Sequence, residues 1–312
     1  MKKKILITGG AGYIGSMLAT ALVEKGHIVT VVDILKYSSN SINHLFVNKN
    51  FIFLKEDITK INVLKKITKN QDFIIPLAGL VGAPLCEKFK KEAVKTNLTS
   101  VKLLLKIKKK KQKIIFPTSN SGYGIGQKNK FCDENSPLNP ISLYGRTKAE
   151  AEKEILKKGN CVAFRLATIF GFSYRMRTDL LVNNFVEKAI KTKKIEIYEP
   201  HFRRNFIHIK DVVKAFIFAI DNFNSLKNNV YNLGLSSANI TKIQLAKKIK
   251  KQFLPLKIII KKNKKDPDQR DYFVSNKKIE KKGFYAKISL EMGIKELIDI
   301  LRNTNIYFKN NY

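Results

Sequence analysis

The sequence is poor in the residues that build disulfide frameworks and metal sites. Its 312 residues include three cysteines, Cys86, Cys132 and Cys161, an odd number without paired spacing. We therefore expect buried free thiols in a reducing cytosol. The four histidines lie far apart along the chain, so metal-ligand spacing is missing and no metal is predicted.

Long apolar runs are missing too. No stretch approaches the ~20 apolar residues that a membrane span needs, so no membrane partner is predicted. The basic start MKKKILITGG resembles the charged end of a signal peptide, but its apolar run is three residues long and stops at Thr8. That run is too short for a signal sequence, and the predicted location is the cytoplasm.

Acidic residues are scarce: 25 Asp and Glu stand against 60 Lys and Arg, a formal net charge of +35. Such a charge first suggests a protein that binds nucleic acid or a membrane surface. The lysines, however, are scattered along every segment, and no basic motif interleaved with aromatic residues appears. We predict a solvated basic surface without a specific nucleic-acid site, and a nucleic-acid-associated protein is the alternative.

The first half alternates short apolar runs with helical patterns, which is typical of βαβ units and a doubly wound parallel sheet covered on both faces. The predicted strands are Ile5–Thr8, Ile28–Asp33, Phe51–Leu54, Phe73–Pro76, Lys113–Thr118 and Val162–Leu166. The predicted helices between them include Tyr13–Lys25, Lys88–Lys108 and Ser142–Lys158.

After about Gly171 the rhythm changes, and longer helices alternate with isolated strands. The predicted helices are Asp179–Lys193, Lys210–Phe223, Thr241–Phe253 and Leu290–Arg302, with strands such as Lys194–Tyr198 and Lys257–Ile260. We predict an α/β fold in two parts. Residues 1–170 form the doubly wound domain. Residues 171–312 form a smaller α+β lobe with segments that return to the main sheet.

The segment ITGGAGYIG places Gly10, Gly12 and Gly15 at G-x-G-x-x-G spacing, after a predicted strand and at the start of a helix. In that context the glycines let the backbone turn tightly and approach a pyrophosphate at the helix N-terminus. Asp33 ends the second strand, where a carboxylate accepts bonds from the adenosine ribose and repels a 2′-phosphate. The pattern predicts an NAD site and disfavours NADP.

The segment SLYGRTKAEAEKEIL places Tyr144 and Lys148 four residues apart, on one face of a helix that Ser142 caps. A phenol has an ordinary pKa near ~10, too high for a base at neutral pH. A nearby ammonium and an oxidised nicotinamide favour the phenolate, so we expect the pKa of Tyr144 to fall. Tyr144 then takes a proton from a substrate hydroxyl. The alternative is an exposed Tyr and Lys on an amphipathic helix.

With these motifs in this order, the chain resembles the extended short-chain dehydrogenases/reductases of the NAD-dependent sugar epimerase/dehydratase family, closest to its UDP-glucose 4-epimerase-like branch. The segments that carry the resemblance are TGGAGYIG, YGRTK, FRLATIFG, RRNFIHIKDVVKA, YNLG and DPDQRDYFVSNKKIEKKGF. It implies a Rossmann-type domain that binds NAD, a lobe that binds a nucleotide-diphospho-sugar, and a homodimer.

The resemblance also implies the site residues. The catalytic set is Ser119, Tyr144 and Lys148, with Ser119 found by counting back twenty-five residues from Tyr144. The expected NAD contacts are Gly9, Gly12, Tyr13, Ile14, Gly15, Asp33, Asp57, Ile58, Leu77, Ala78, Gly79, Asn97, Tyr144 and Lys148. The expected substrate contacts are Ser119, Thr168, Asn183, Arg204 and Arg270, with Asn184 on the same side. For the two arginines a surface ion pair is the alternative.

The absence of acidic residues after Ser119 limits which reactions of the family are expected here. In the family's 4,6-dehydratases the catalytic Thr is followed by Asp-Glu, which move protons for water elimination, and decarboxylating relatives carry a Glu there. Here TSNSGYG places Asn120 and Ser121 at those positions, and neither acts as that acid or base. Epimerisation or, as the alternative, ketoreduction is left. A non-catalytic NAD sensor is disfavoured, because it has no need for Ser119, Tyr144 and Lys148.

Overall fold

The computed structural model describes residues 1–37, 40–126, 130–261, 270–303 and 310–311. Residues 266–269 of the DPDQRDYFVSNKKIEKKGF segment therefore lie outside the described residues. The strands are β1 (Lys4–Thr8), β2 (Ile28–Asp33), β3 (Phe51–Lys55), β4 (Phe73–Pro76), β5 (Lys113–Ser119), β6 (Phe131–Cys132), β7 (Cys161–Leu166), β8 (Thr168–Phe170), β9 (Lys194–Ile197), β10 (Arg203–His208), β11 (Asn229–Leu233), β12 (Asn239–Thr241), β13 (Lys257–Ile260) and β14 (Phe273–Val274).

Twelve helices are found among the described residues. They are α1 (Tyr13–Glu24), α2 (Ile61–Thr68), α3 (Ala83–Lys88), α4 (Lys90–Val94), α5 (Ser100–Ile107), α6 (Leu143–Lys158), α7 (Leu181–Thr192), α8 (Ile209–Asp221), α9 (Phe223–Leu226), α10 (Lys242–Gln252), α11 (Lys277–Glu280) and α12 (Leu290–Asn303). A π-helical turn, Lys95–Thr99, joins α4 to α5, and a 3-10 turn, Asn120–Tyr123, follows β5.

Seven parallel strands form the central sheet, in the order β3-β2-β1-β4-β5-β7-β11. The six strands predicted for the first half are all present with bounds within one residue, and the predicted doubly wound α/β fold is confirmed. β11 was not predicted. It comes from the C-terminal part of the chain and pairs with β7 along its whole length, so one later segment does return to the main sheet.

The sheet is buried on both faces because its strands are apolar on both sides. Ile5 and Ile7 of β1 belong to one hydrophobic cluster with residues of α1 and α8. Leu6, between them, belongs to a second cluster with residues of α2, α5 and α6. Successive side chains of a strand point to opposite faces, so each strand holds both helical layers.

The long helix predicted at Lys88–Lys108 is divided in the structure. Phe89 interrupts it between α3 and α4 with φ −122° and ψ 57°, and the π-helical turn interrupts it again before α5. The turn contains Asn97, whose side chain is bonded to the backbone of the loop after β4. The local pattern is helical, but this contact demands an irregular turn, as is common beside functional sites.

The C-terminal part builds a third hydrophobic cluster from α7, α10 and α12. β10 pairs with β8 in parallel and with β12 antiparallel, while β9 pairs with β13 and β6 with β14. The division at residue 170 stays a prediction. The three cysteines are buried free thiols, and within the described ranges no helix is long and apolar enough to span a membrane.

Candidate active site

A cavity of about 520 Å³ opens where the strand order of the central sheet reverses. The reversal lies between β1 and β4, because β2 and β3 extend the sheet on one side of β1 and β4 lies on the other. In open α/β sheets, ligands bind at this position beyond the carboxyl ends of the strands. The loops after both strands line the cavity, including the predicted Gly9, Leu77, Ala78 and Gly79.

The glycine-rich loop after β1 is packed so closely that side chains are excluded. Gly9 has a φ of +71°, and a Cβ there would lie 2.6 Å from the backbone nitrogen of Ala78. α1 then begins without a side-chain cap and without an acid in its first turn. Its first N–H groups are therefore left to bind an anion such as the pyrophosphate of NAD. The predicted Gly12, Tyr13, Ile14 and Gly15 all line the cavity.

Asp33 ends β2 and lines the cavity, as do Asp57 and Ile58 after β3. Its carboxylate accepts the N–H groups of Ala11 at 3.1 Å and Leu35 at 2.8 Å, which hold it in place, while burial raises its pKa. A carboxylate has about four acceptor positions, so Asp33 can still accept a hydrogen bond from a ribose hydroxyl. Together with the glycine loop, these residues fit the adenosine and pyrophosphate of NAD.

Asn97 lies behind the cavity wall rather than in it. Its amide oxygen accepts the N–H of Leu80 at 2.8 Å, and its amide nitrogen donates to the carbonyl of Leu80 at 2.9 Å. A Cβ on Gly79 would approach that amide oxygen to 2.7 Å. Asn97 thus positions the loop after β4, and a direct contact with the cofactor stays a prediction.

Ser119, Tyr144 and Lys148 all line the cavity. α6 begins after the predicted cap Ser142, whose hydroxyl accepts the N–H of Gly145 at 3.1 Å. Tyr144 and Lys148 follow on one face of α6, one turn apart. Ser119 ends β5, and its hydroxyl is close enough to Tyr144 to lower the pKa of the phenol. The structure therefore brings the three predicted catalytic residues together.

The pKa of Tyr144 is higher than the sequence predicts. Burial raises it to about 12, and the nearby Cys86 acts in the same direction. Arg270, the Ser119 hydroxyl and Arg177 lower it by less. The predicted fall is therefore wrong for the chain's own groups, since burial outweighs the cations around the ring. The positive nicotinamide ring of NAD is the remaining charge that favours the phenolate.

The pKa of Lys148 is shifted too. Burial lowers it to about 8, while Glu152, one turn further along α6, acts to raise it. Its ammonium nitrogen lies 4.4 Å from the centre of the Phe116 ring, a cation–π contact that partly replaces lost hydration. The charge of Lys148 is therefore sensitive to pH in the neutral to mildly alkaline range.

A buried network fixes α6 against the sheet. Arg165 on β7 donates to Glu152 of α6 at 2.6 and 3.0 Å, and to the hydroxyl of Tyr123 at 3.0 Å. Tyr123 donates in turn to the side chain of Asn232 on β11 at 2.7 Å. The catalytic helix, the turn after Ser119 and two strands are thus joined. Sequence reasoning missed this network because its members lie far apart along the chain.

On the other side of the cavity, the predicted Thr168, Arg204 and Arg270 all line the wall. Arg204 is only 3% exposed, and its guanidinium donates to the carbonyl oxygens of Arg203, at 2.9 Å, and Arg270. The neighbouring Arg203 forms an ion pair with Asp271, 2.8 Å away. Arg204 and Arg270 both reach the cavity wall, and their contact with an anionic substrate stays a prediction.

Of the two asparagines on α7, the structure places Asn184 in the cavity wall and Asn183 behind it. Asn183 is 0% exposed. Its amide accepts the N–H of Gly171 at 3.0 Å and donates to the carbonyl of Arg177 at 2.8 Å. These bonds hold the segment between them against α7, so a substrate contact by Asn183 stays a prediction that this arrangement does not favour.

Sequence reasoning passed over the part of the wall formed by Tyr37, Arg175, Arg177 and Asp179. Arg177 and Asp179 form a buried ion pair, and the guanidinium of Arg175 lies 5.5 Å from the centre of the Tyr37 ring. The signal was present as two arginines and an acid within RMRTD. Such a run is ordinary on a surface, and only packing buries it beside a cavity. Among the described residues, no cluster of three metal-binding side chains is found.

A model of the NAD dependent epimerase/dehydratase family matches residues 5–234. The match spans more than half of the 312 residues, so the protein belongs to this family. The family resemblance drawn from the motifs is confirmed, and NAD is the cofactor, as predicted.

Three similar proteins illustrate the range of the family. A dTDP-D-glucose 4,6-dehydratase of Dictyostelium discoideum is 31% identical over 271 residues, which cover 79% of this chain and 61% of that protein. This chain thus spans less than two thirds of the length of the Dictyostelium protein. A UDP-N-acetyl-alpha-D-glucosaminuronate decarboxylase of Bacillus cytotoxicus is 28% identical, with 75% of each chain covered. The structure of a Thermotoga maritima UDP-glucose 4-epimerase with UDP-glucose has a TM-score of 0.84 at 25% identity, covering 96% of this chain and 98% of that one.

Proposed function

We propose that the protein is an NAD-dependent epimerase of a nucleotide-diphospho-sugar that acts through a transient keto sugar. The observation that supports this is the cavity wall around Tyr144, where Ser119 and Ser121 lie and no carboxylate follows Ser119. Dehydration and decarboxylation need such an acid or base beside the reacting sugar, whereas epimerisation needs hydride and proton transfer at one carbinol only.

The carboxylates of the described cavity wall are engaged elsewhere. They are Asp33, Glu56, Asp57, Glu92 and Asp179. Glu92 and Asp179 form ion pairs with Lys36 and Arg177, and Asp33 and Asp57 accept backbone N–H groups. Glu56 lies after β3, on the adenosine side of the predicted cofactor site. Within the described residues, no hydrogen bond joins any of these carboxylates to Tyr144.

Each catalytic side chain has a distinct role in this proposal. Tyr144 takes the proton of the substrate hydroxyl and later returns it. Ser119 donates a hydrogen bond to the same substrate oxygen, and Lys148 places its ammonium near the nicotinamide ribose. NAD, when bound, supplies the acceptor for the hydride that leaves the carbinol carbon. Arg204 and Arg270 bind the diphosphate, since a planar guanidinium suits bidentate phosphate recognition.

The balance of cofactor during turnover tests the proposal against its alternative, a ketosugar-nucleotide reductase. An epimerase turns over without net change in NADH absorbance, and deuterium at the reacting carbon of the substrate stays in the product. Stoichiometric loss of NADH with each turnover would refute the epimerase assignment and support the reductase assignment. Candidate substrates come from mass spectrometry of small molecules that copurify with the protein.

Tyr144→Phe tests the catalytic role common to both reactions. It deletes one oxygen from a ring of the same shape, so fold and NAD binding are expected to persist. Turnover is expected to fall by roughly 10²–10⁴-fold, the usual effect of losing a general acid/base. Ser119→Ala is expected to cost less, because it removes an orienting bond. Wild-type turnover in Tyr144→Phe would refute both reactions.

The remaining predictions about partners and location stand as proposals. The partner is a nucleotide-diphospho-sugar, and the proposal does not specify its sugar or its base. The assembly is a homodimer, and the location is the cytoplasm. Sedimentation equilibrium checks the dimer directly, and a single-chain mass over the micromolar range would contradict it.

A further inference from the structure

Ser121 lies in the turn after Ser119, is 2% exposed and lines the cavity, yet the proposed reaction assigns it no role. Its hydroxyl donates to Ser119 Oγ at 2.9 Å, and its backbone N–H donates to the same oxygen at 3.1 Å. The second bond is the ordinary cap of a short turn by a serine. The first bond is not required by the turn and calls for a separate explanation.

The two bonds determine what the hydroxyl of Ser119 can still do. A hydroxyl oxygen has two acceptor positions and one hydrogen to donate. Both acceptor positions of Ser119 are filled from Ser121, so only the donor is left. The Ser119 hydroxyl acts to lower the pKa of the Tyr144 phenol, as a hydrogen donated towards a phenolate oxygen does. Donation therefore runs from Ser121 to Ser119, and the hydrogen of Ser119 is left for Tyr144 or the substrate oxygen.

The surrounding packing keeps this chain of hydroxyl groups in register. A Cβ on Gly145 would lie 3.0 Å from the carbonyl oxygen of Ser121, so α6 touches the turn directly, next to Tyr144. Tyr123, at the end of the turn, is held by hydrogen bonds with Asn232 at 2.7 Å and Arg165 at 3.0 Å. The turn cannot shift without breaking these buried bonds.

We propose that Ser121 is a positioning residue that fills both acceptor positions of Ser119 and so restricts Ser119 to donating, towards Tyr144 and the substrate oxygen. The inference rests on the proposed roles of Ser119 and Tyr144. The proton of the substrate hydroxyl then passes directly to Tyr144: one O–H bond breaks as the other forms. Ser119 cannot accept this proton, because both of its acceptor positions are filled. Its own hydrogen is free to turn towards the substrate oxygen as negative charge moves there.

Other groups also act on the phenol, so the test must separate them from Ser121. Cys86 of α3 raises the pKa of Tyr144, and Arg177 and Arg270 on the opposite wall lower it. Lys148 lies one turn further along α6. None of these side chains is changed by Ser121→Ala, which keeps the backbone N–H and therefore the turn.

The experiment titrates Tyr144 by ¹³C NMR of tyrosine-labelled, NAD-loaded protein, with the signal assigned by its loss in Tyr144→Phe. This readout needs no substrate, so it stands even if the proposed reaction fails. Ser121→Ala is expected to raise the pKa of Tyr144, and Ser121→Thr, which keeps the hydroxyl, is expected to restore it. Ser225→Ala removes a hydroxyl of α9 that donates to the carbonyl of Asn222, and it is expected to leave the titration unchanged.

If the epimerase assay succeeds, the same variants give a second measurement. Ser121→Ala is expected to lower kcat by up to about tenfold, the upper end of the scale for one neutral hydrogen bond, with little change in KM. Its ascending pH limb should move to higher pH, and Ser121→Thr should recover both. An unchanged Tyr144 titration in Ser121→Ala, or equal effects of Ala and Thr, would overturn the proposal.

Discussion

At the scale of single residues, burial controls the charge of the catalytic lysine. Folding lowers the pKa of Lys148 from its ordinary 10.5 to about 8, because burial disfavours the ammonium. Between these values the unfolded chain binds more protons than the folded chain, so this residue makes the free energy of unfolding rise with pH through that window. Below the folded pKa, the buried ammonium destabilises the fold.

Lys148→Met is therefore expected to raise the melting temperature at pH 7, and this gain should shrink as the pH rises from about 8 towards 10.5. Calorimetry on cofactor-free protein measures both. Lys153→Met, on the exposed face of the same helix, controls for the lost charge. A gain that is constant with pH would contradict the lowered pKa.

Asp33 is expected to select NAD over NADP. Its carboxylate is held at the end of β2 by the N–H groups of Ala11 and Leu35, so it cannot turn away from a 2′-phosphate. Calorimetry should show tighter binding of NAD than of NADP. Asp33→Ala should narrow the gap by weakening NAD and relieving repulsion of NADP. Tighter NADP binding by the wild type would refute the assignment.

At the scale of elements, the buried pair between α6 and β7 holds the catalytic helix. The side chains of Arg165 and Glu152 are only 7% and 3% exposed. Breaking such a pair leaves an uncompensated buried charge, whereas replacing both partners with apolar groups is often tolerated. Glu152 also acts to raise the pKa of Lys148, so the pair links helix placement to the site.

Arg165→Met is expected to lower the free energy of unfolding by about 3–5 kcal/mol, and adding Glu152→Met should recover much of it. Urea unfolding provides the measurement. The exposed pair Lys102 and Glu150, 2.6 Å apart on α5 and α6, is the matched control, and Lys102→Met should cost far less than Arg165→Met, because water screens an exposed pair. Equal costs for the two single variants would show that burial of the pair is unimportant.

At the scale of the whole molecule, the net charge of +35 predicts weak, non-specific binding to DNA. Cations on any basic surface displace condensed counterions, so the affinity should fall steeply with salt. Filter binding across a salt series measures this slope, with random and fixed sequences compared. A sequence-specific footprint that survives physiological salt would instead support a nucleic-acid function.

Much of the fold was determined by the sequence alone. Apolar runs and helical periods are properties of neighbouring residues, so the strands of the first half were found within one residue. The same holds for the glycine loop and for the Tyr144 and Lys148 pair, where spacing along one helix decides proximity. β11 escaped prediction because its place is decided by pairing with β7, 67 residues earlier, between Asn229 and Val162.

Only the tertiary structure decided which side chains face the cavity and in what state. Asn183 and Asn184 are adjacent on α7, and successive helical residues point about 100° apart, so the packing of α7 chooses between them. The pKa of Tyr144 depends on burial, which no local pattern reports. Ser121 and Ser119 are only two residues apart, but their hydrogen bonds require the turn that α6, β7 and β11 hold in place. Charge state and hydrogen-bond direction are properties of the packed molecule, because the dielectric and the partners exist only there.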